Sequence, residues 1–384
     1  MKNRTLLKFL AAACCACPAL PPAPAFAGAG TAGGEFLRIV QSPRAVGMGE
    51  SGAGAYGDLL GALALNPAAL ARTGYKEAAF TYNSWLEGIT SQQAAYAHPL
   101  KGDRGVLAGS LYILSVPSID GYNNAGDAAG KVDAGDLAAG ISYAARVAGP
   151  FQDRRSGLFA GGTLKYAREK LDTVSAGTAL ADIGALWITR SQGGVLGLGL
   201  SAQSLGGGFK FDSGTDAAPT VYRAGASYII LVSGDPLTFA LDWKKPANSS
   251  SAVCAGAEYQ AWRVLALRAG YVSGEDLGGG LRLGGGVMIK LLQFDYSLSS
   301  YGKFGPAHRF SLSYKFDKPV EITRHLTWEQ EKARQRTEQA RIMMQESRYY
   351  EAVLELNEAL NLDPGYKEAL ELMRKARGLV EVSK

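Results

Sequence analysis

Leu292-Gln-Phe-Asp-Tyr-Ser-Leu-Ser299 and, a few residues on, Arg309-Phe-Ser-Leu-Ser-Tyr-Lys-Phe316 decide the fold. Leu292, Phe294, Tyr296 and Leu298 alternate with Gln293, Asp295, Ser297 and Ser299; Phe310, Leu312, Tyr314 and Phe316 alternate with Arg309, Ser311, Ser313 and Lys315. Period two means extended backbone, with successive side chains on opposite faces. One face is greasy and aromatic, the other small, polar or charged.

The same pattern recurs upstream, in Leu237, Phe239, Leu241 and Trp243 and in Leu137, Ile141, Tyr143 and Val147. About fourteen such segments fit between residues 76 and 317. Many run to ten residues or more. Ten residues at about 3.3 Å each, tilted near 45°, span roughly 23 Å, the height of the apolar band of a membrane barrel. Connections after even-numbered segments are mostly tight and those after odd-numbered ones mostly longer, as in an outer-membrane barrel. The expected fold is therefore mainly β: a closed antiparallel transmembrane barrel of about fourteen strands over 76–317. An N-terminal plug or hatch over 28–75 precedes it. A small helical segment over 318–384, expected in the periplasm, follows it. Strands of this kind also suit a soluble sheet with one wet face.

Composition agrees. The 384 residues are 47% hydrophobic and 20% charged, which argues against disorder and against a polytopic helical membrane protein. Residues 1–27 read as a secretory signal: basic Lys2, Arg4 and Lys8, an apolar core from Leu6 to Cys17, and a small-x-small site at Ala25-Phe-Ala27. Lipidation at Cys14 is the rival. Three units of the +5 formal charge leave with the signal, so the mature balance of +2 gives no reason to expect nucleic acid. Cys254 would be the one remaining cysteine, a small apolar strand residue. The 49 glycines suit a wall whose small inward residues leave room for a plug.

After Asp317 the chain becomes highly charged and helical. Ala340, Tyr349, Ala352, Leu356, Ala359 and Pro364 have tetratricopeptide (TPR) spacing, with 347–364 as the second helix of one repeat and 365–376 as the first of the next. One and a half repeats are fewer than usually stand alone, so the segment is expected to lean on the barrel, a partner or a second copy.

Ser42-Pro-Arg-Ala-Val-Gly47-Met48-Gly49-Glu-Ser-Gly-Ala-Gly-Ala55, Asp58 and Leu65-Asn66-Pro67-Ala68-Ala69-Leu70 together resemble the opening of PorV/PorQ-type proteins of the FadL-like outer-membrane superfamily. Ala69 stands where many relatives have Gly, and the TPR-like tail is not part of the usual plan. The resemblance implies fourteen strands, a plug containing Gly47, Met48, Gly49, Asn66, Pro67 and Ala68 as its gating motif, and location in the outer membrane of a Gram-negative-type bacterium. It also implies a non-enzymatic part in protein secretion or surface attachment of type IX kind. Partners would then be outer-membrane lipid, secreted cargo and periplasmic envelope proteins met by the tail. The alternative is a FadL-like channel for uptake of a hydrophobic small molecule. From the residues alone, Asn66 and Pro67 equally suit a helix cap and turn.

Other chemistry is sparse. Gly47-Met-Gly-Glu-Ser-Gly52 matches a dinucleotide-binding string without the βαβ context that gives it meaning. His98, His308 and His325 lack metal-ligand spacing, and no nucleophile elbow supports a hydrolase. No cofactor or metal is expected. Asp182, Asp242 and Asp295 read as lumen charges that hold a plug, and Trp85, Trp187, Trp243, Trp262, Tyr296 and Tyr314 as interfacial girdles.

Overall fold

The computed structural model describes residues 32–122, 125–149, 155–191, 193–212, 214–274, 278–317 and 328–382. The expected signal at 1–27, with Cys14 and the Ala25-Phe-Ala27 site, lies outside them, as does His325. The chain divides into two units, Met1–Glu321 and Ile322–Lys384.

The first unit is built on strands β1 (Lys76–Ser84), β2 (Thr90–Pro99), β3 (Val106–Ser115), β4 (Ile119–Tyr122), β5 (Ala128–Val132) and β6 (Ala134–Ala148). Next come β7 (Gly157–Leu171), β8 (Val174–Ser191), β9 (Gly194–Gly206), β10 (Phe209–Phe211), β11 (Gly214–Asp216) and β12 (Val221–Val232). The last are β13 (Asp235–Pro246), β14 (Ala252–Ala261), β15 (Leu265–Val272), β16 (Leu281–Ile289), β17 (Leu292–Ser300) and β18 (Pro306–Phe316). Fourteen of them form one closed antiparallel barrel; β4–β5 and β10–β11 are hairpins inside two long connections. The seam joins β1 to β18, with Lys76 opposite Phe316 and Ser84 opposite His308. Closure leaves no edge of the barrel sheet unpaired.

The greasy stripe faces outward. Phe294, Phe310, Leu312, Tyr314, Phe239, Leu241 and Trp243 are exposed, and Ile141 and Leu164 reach 70%. Their neighbours Asp295, Ser297, Ser311, Ser313, Asp242 and Arg309 are buried inside. Side chains do not meet across two stacked sheets, so the soluble-sandwich alternative fails. A continuous apolar outer wall needs hydrocarbon as its solvent. Among the described residues, no helix is long and apolar enough to cross a membrane.

Turns are short at one end, as at Ser233-Gly234, where both residues have positive φ, as a two-residue type I′ hairpin requires. The other end carries the long connections, including both hairpins. Its β7–β8 turn, however, is closed by Asp172 and Thr173 alone. Trp85 departs from expectation. It lies just past the end of β1, where alternation stops. Its ring is 4.8 Å from Tyr301 and takes the Arg309 guanidinium at 4.7 Å, so it belongs to the long-loop mouth and not to a girdle. Trp187, Trp243 and Trp262 are exposed on the outside.

Residues 33–75 fill the lumen. They contain a 3-10 turn (Glu35–Arg38), α1 (Pro43–Gly47), α2 (Leu59–Leu65) and a 3-10 helix (Pro67–Arg72). Ser42 caps α1 by accepting from the Ala45 N–H at 3.0 Å, with Pro43 opening the helix.

The second unit has three helices, α3 (Trp328–Gln345), α4 (Tyr349–Leu362) and α5 (Lys367–Val382). Its core is made of small residues: Ala333, Ala340, Ala352, Leu356, Ala359, Ala369 and Ala376 are all fully buried. Of the TPR-spaced positions, Tyr349 is half-buried and Pro364 is exposed in the α4–α5 turn.

Candidate functional site: the plugged lumen

The chain enters this site at the long-loop mouth. Gly33 donates to the Ala217 carbonyl at 3.0 Å and Gly34 to Glu169 Oε2 at 2.8 Å. Arg38 donates to Asn248 Oδ1 at 2.6 Å and to the Pro219 carbonyl, while pairing with Glu35 at 2.7 Å. Phe36 is buried with Tyr112, Leu180 and Phe209 in an apolar layer beneath the mouth. Residues 32–41 thus form a strap across the mouth, and the chain then runs down the lumen to β1.

Below the strap the plug is pinned by charge. Arg44 places Nε and Nη2 on the two Glu258 oxygens, each at 2.8 Å, in a bidentate fork. Glu258 also accepts from Arg268 Nε at 2.6 Å, and Arg268 passes Nη1 to Asp295 at 2.6 Å. Glu258 and Arg268 are almost wholly buried, so this chain of alternating charge works in a medium of low dielectric. A second cluster joins Glu50 to Lys244 at 2.8 Å, with Arg223 Nη1 donating to the Glu50 carbonyl at 3.2 Å. Asp242 accepts from the backbone N–H of Gly52 and Ala53 at 2.9 and 2.8 Å. The lumen aspartates of the sequence therefore touch the plug directly, through Asp242, or through Arg268 in the case of Asp295. Asp182 instead holds Lys165 at 2.8 Å and the Ser204 N–H.

The plug is also seated on glycines. A Cβ built on Gly199 would overlap the Ala53 carbonyl oxygen, on Gly256 the Met48 carbonyl, on Gly270 the Gly49 nitrogen, and on Gly184 the Asn66 side chain. On Gly161 it would lie 2.6 Å from the Pro67 oxygen. Gly49 needs its identity twice: φ is +67°, and a Cβ would sit 2.5 Å from Ala255 O and Tyr271 N.

The expected gating motif divides between opposite walls. Gly47, Met48 and Gly49 press on β14–β16, while Asn66, Pro67 and Ala68 press on β7 and β8. The Asn66 amide donates to Ala53 O of the plug at 2.7 Å and to Ala185 O of the β8 wall at 3.0 Å. Its Oδ1 accepts from Ala68 N–H at 3.1 Å, so the cap-and-turn geometry is present too. At the short-turn end Leu59, Leu60, Ala62, Ala68 and Leu70 close the lumen against Ala97, Val106, Phe159, Leu186 and Ile188.

Between the apolar layers lies a polar chamber of about 80 Å3, lined by Gln41, Gln93, Lys165, Gln203, Arg223 and Lys244 among others. Beside it the β8–β9 ladder is broken by a bulge: Ala181 pairs with Leu205, but Ile183 pairs with Ala202. On the outside of the same wall is an apolar groove of about 450 Å3, lined by Ile183, Gly184, Leu200, Ala202, Tyr222 and Trp243. Arg223 borders both the groove and the chamber.

Sequence reasoning missed Arg44, Glu50, Glu258 and the individual glycine seats. Inward parity on the strands marked Glu258 and the wall glycines, whereas Arg44 and Glu50 lie in the plug, where no strand period applies. His98 and His308 each pair with a tyrosine hydroxyl, Tyr96 at 3.1 Å and Tyr296 at 2.9 Å. Cys254 is fully buried in β14. No group of metal-ligating side chains occurs among the described residues. The TPR-spaced residues belong to the other unit.

No family model matches the chain, and no curated protein does. Among solved structures, the chain is similar to the Ralstonia pickettii toluene transporter TbuX at 12% identity and TM-score 0.49, covering 73% of this chain and 100% of that one. The CymD monoaromatic hydrocarbon channel gives 13% and 0.49, covering 73% and 98%. The Acinetobacter baumannii outer membrane protein Omp33 gives 10% and 0.37, covering 64% and 100%.

Proposed function

We propose that the protein is a plugged, non-enzymatic outer-membrane channel for small hydrophobic molecules, with its long loops outside the cell and its short turns and helical tail in the periplasm. The observation that carries this reading is the bulged wall at Asp182–Ser204, with an apolar groove on its bilayer side, a chamber on its lumen side and Arg223 bordering both. An apolar solute partitions into the groove without leaving hydrocarbon. A shift of the plug next to the bulge opens the wall at the point where its hydrogen-bond ladder is already interrupted. The layers of packed side chains at both lumen ends disfavour a standing aqueous pore.

A part in secretion or surface attachment rests on the sequence resemblance, and no feature of the lumen favours it over transport. A deletion strain separates the two. Slower uptake of a labelled monoaromatic hydrocarbon or fatty acid, with surface proteins correctly placed, supports the channel. Unchanged uptake with surface proteins stranded in the periplasm refutes it and restores the secretion reading.

A further inference from the structure

We propose that arginines gathered at the short-turn lip form a binding site for a phosphate group that bridges plug and wall, with Arg72 on the plug and Arg155 and Arg190 on the wall. This goes beyond the channel reading and does not require it, because the site is defined by its own charges.

The wall half follows from register. Gly157 of β7 pairs with Ile188 of β8, and Phe159 with Leu186. Carried two residues further toward the lip, that antiparallel register sets Arg155, in the β6–β7 turn, level with Arg190, the last but one residue of β8. Phe159, Leu186 and Ile188 are packed against the plug, so Arg155 and Arg190 share the parity of the lumen face. Both are exposed. Arg146 ties the turn down by donating Nε to the Ser156 carbonyl at 3.1 Å.

The plug half is Arg72, the last residue of the 3-10 helix Pro67–Arg72. Its guanidinium carbon lies 4.9 Å from the centre of the Tyr56 ring and 5.5 Å from that of Phe159, so the half-buried cation rests on two aromatic faces. Burial first, and then the like charges of Arg190 and Arg155, hold Arg72 below its ordinary pKa. The three cations are therefore within electrostatic reach of one another across the boundary between plug and wall. Among the described residues, neither Arg72 nor Arg190 is paired with a carboxylate. Elsewhere plug and wall meet through opposite charges, as in Arg44–Glu258 and Glu50–Lys244. Here like charges face each other, and an anion from outside turns their repulsion into a bridge. A phosphate group fits, because its several oxygens accept from more than one guanidinium at once. Free phosphate and the headgroup of a neighbouring phospholipid share this chemistry.

The test is calorimetric titration of the full-length, delipidated protein in uncharged detergent with inorganic phosphate, against chloride at equal ionic strength. The expected result is a saturable signal with phosphate, weakened by about tenfold or more in Arg190→Gln and partly kept in Arg190→Lys. Arg155→Gln should weaken it likewise, and decides the question where Arg190→Gln fails to form a heat-modifiable barrel. Arg263→Gln, at an exposed cation of the β14–β15 turn, should leave it unchanged. Phosphate should also slow protease cleavage within residues 43–75 in the wild type and not in Arg190→Gln. Repeating the titration in phosphatidylcholine vesicles, with and without a minor fraction of phosphatidylglycerol, separates the sources. Binding kept in both supports a soluble phosphate; binding lost only with phosphatidylglycerol supports a lipid headgroup. Absence of saturation in detergent overturns the proposal, as does a signal that survives both Arg155→Gln and Arg190→Gln or falls equally in Arg263→Gln. Equal competition by chloride would mean an adventitious ion only and overturns it too.

Discussion

Replacing Glu258 with Leu removes the acceptor of the Arg44 fork while keeping side-chain volume. Arg268 retains Asp295 at 2.6 Å, but Arg44 is left with the Tyr56 carbonyl at 3.2 Å. Breaking a buried ion pair by deleting one partner costs about 3–5 kcal/mol. The penalty falls on the seated plug, because only there is Arg44 kept from water. The seated-to-released equilibrium should therefore move by roughly 150- to 4000-fold, at 1.4 kcal/mol per factor of ten. Planar-bilayer conductance would read this as a closed wild type and a frequently open Glu258→Leu variant, with heat-modifiable migration confirming the barrel in both. Adding Arg44→Met removes the stranded charge and should restore most of the closure, since an apolar pair of similar volume is often neutral against a buried ion pair. A single variant as quiet as the wild type, or a double variant as leaky as the single, would refute the assignment of Arg44–Glu258 as the pin of the plug.

Gly199→Val puts a side chain where the Ala53 carbonyl lies, so protease cleavage within residues 43–75 should rise sharply in detergent while the barrel stays intact; equal protection would sink the glycine-seat account. Ile141→Lys, on the outer wall, should cost about 2–4 kcal/mol of folding stability in lipid vesicles, measured by urea titration, and a neutral result would deny that this face meets hydrocarbon. Leu356→Ala, at the centre of the helical unit, should cost about 2–5 kcal/mol and melt the helices of α3–α5 by circular dichroism without altering barrel migration.

Alternation made the barrel legible because it is a local property. Fourteen segments with one greasy face could be placed within a few residues, and Asp242 could be assigned to the lumen from its place beside Leu241 and Trp243. The plug's attachments could not be read this way. Arg44 and Glu258 are 214 positions apart, and a single sequence carries no information on which inward charge meets which plug residue. The glycine seats were visible only as an excess of glycine; which of them receive the plug depends on its path through the lumen. Trp85 was misplaced because an aromatic at a strand end suits both a girdle and a mouth. The hairpins β4–β5 and β10–β11 were missed because their strands run only three to five residues, too few for alternation to show. In the tail, Ala340, Ala352, Leu356 and Ala359 do pack together, and their spacing alone groups them on touching helix faces.

The route of residues 32–75 constrains how the molecule is made. The segment runs from the loop-bearing mouth to the opposite end, and at Gly199, Gly256 and Gly270 it touches the wall backbone to backbone. A finished cylinder offers no gap through which so tightly fitted a thread could be drawn afterwards. The pairing of Lys76–Ser84 with His308–Phe316 is the contact that joins the two ends of the barrel chain, and its fastening last, around a thread already laid in place, is the order this fit predicts. On that order biogenesis would be a wrapping reaction, with the N-terminal residues as the mandrel on which the cylinder is wound.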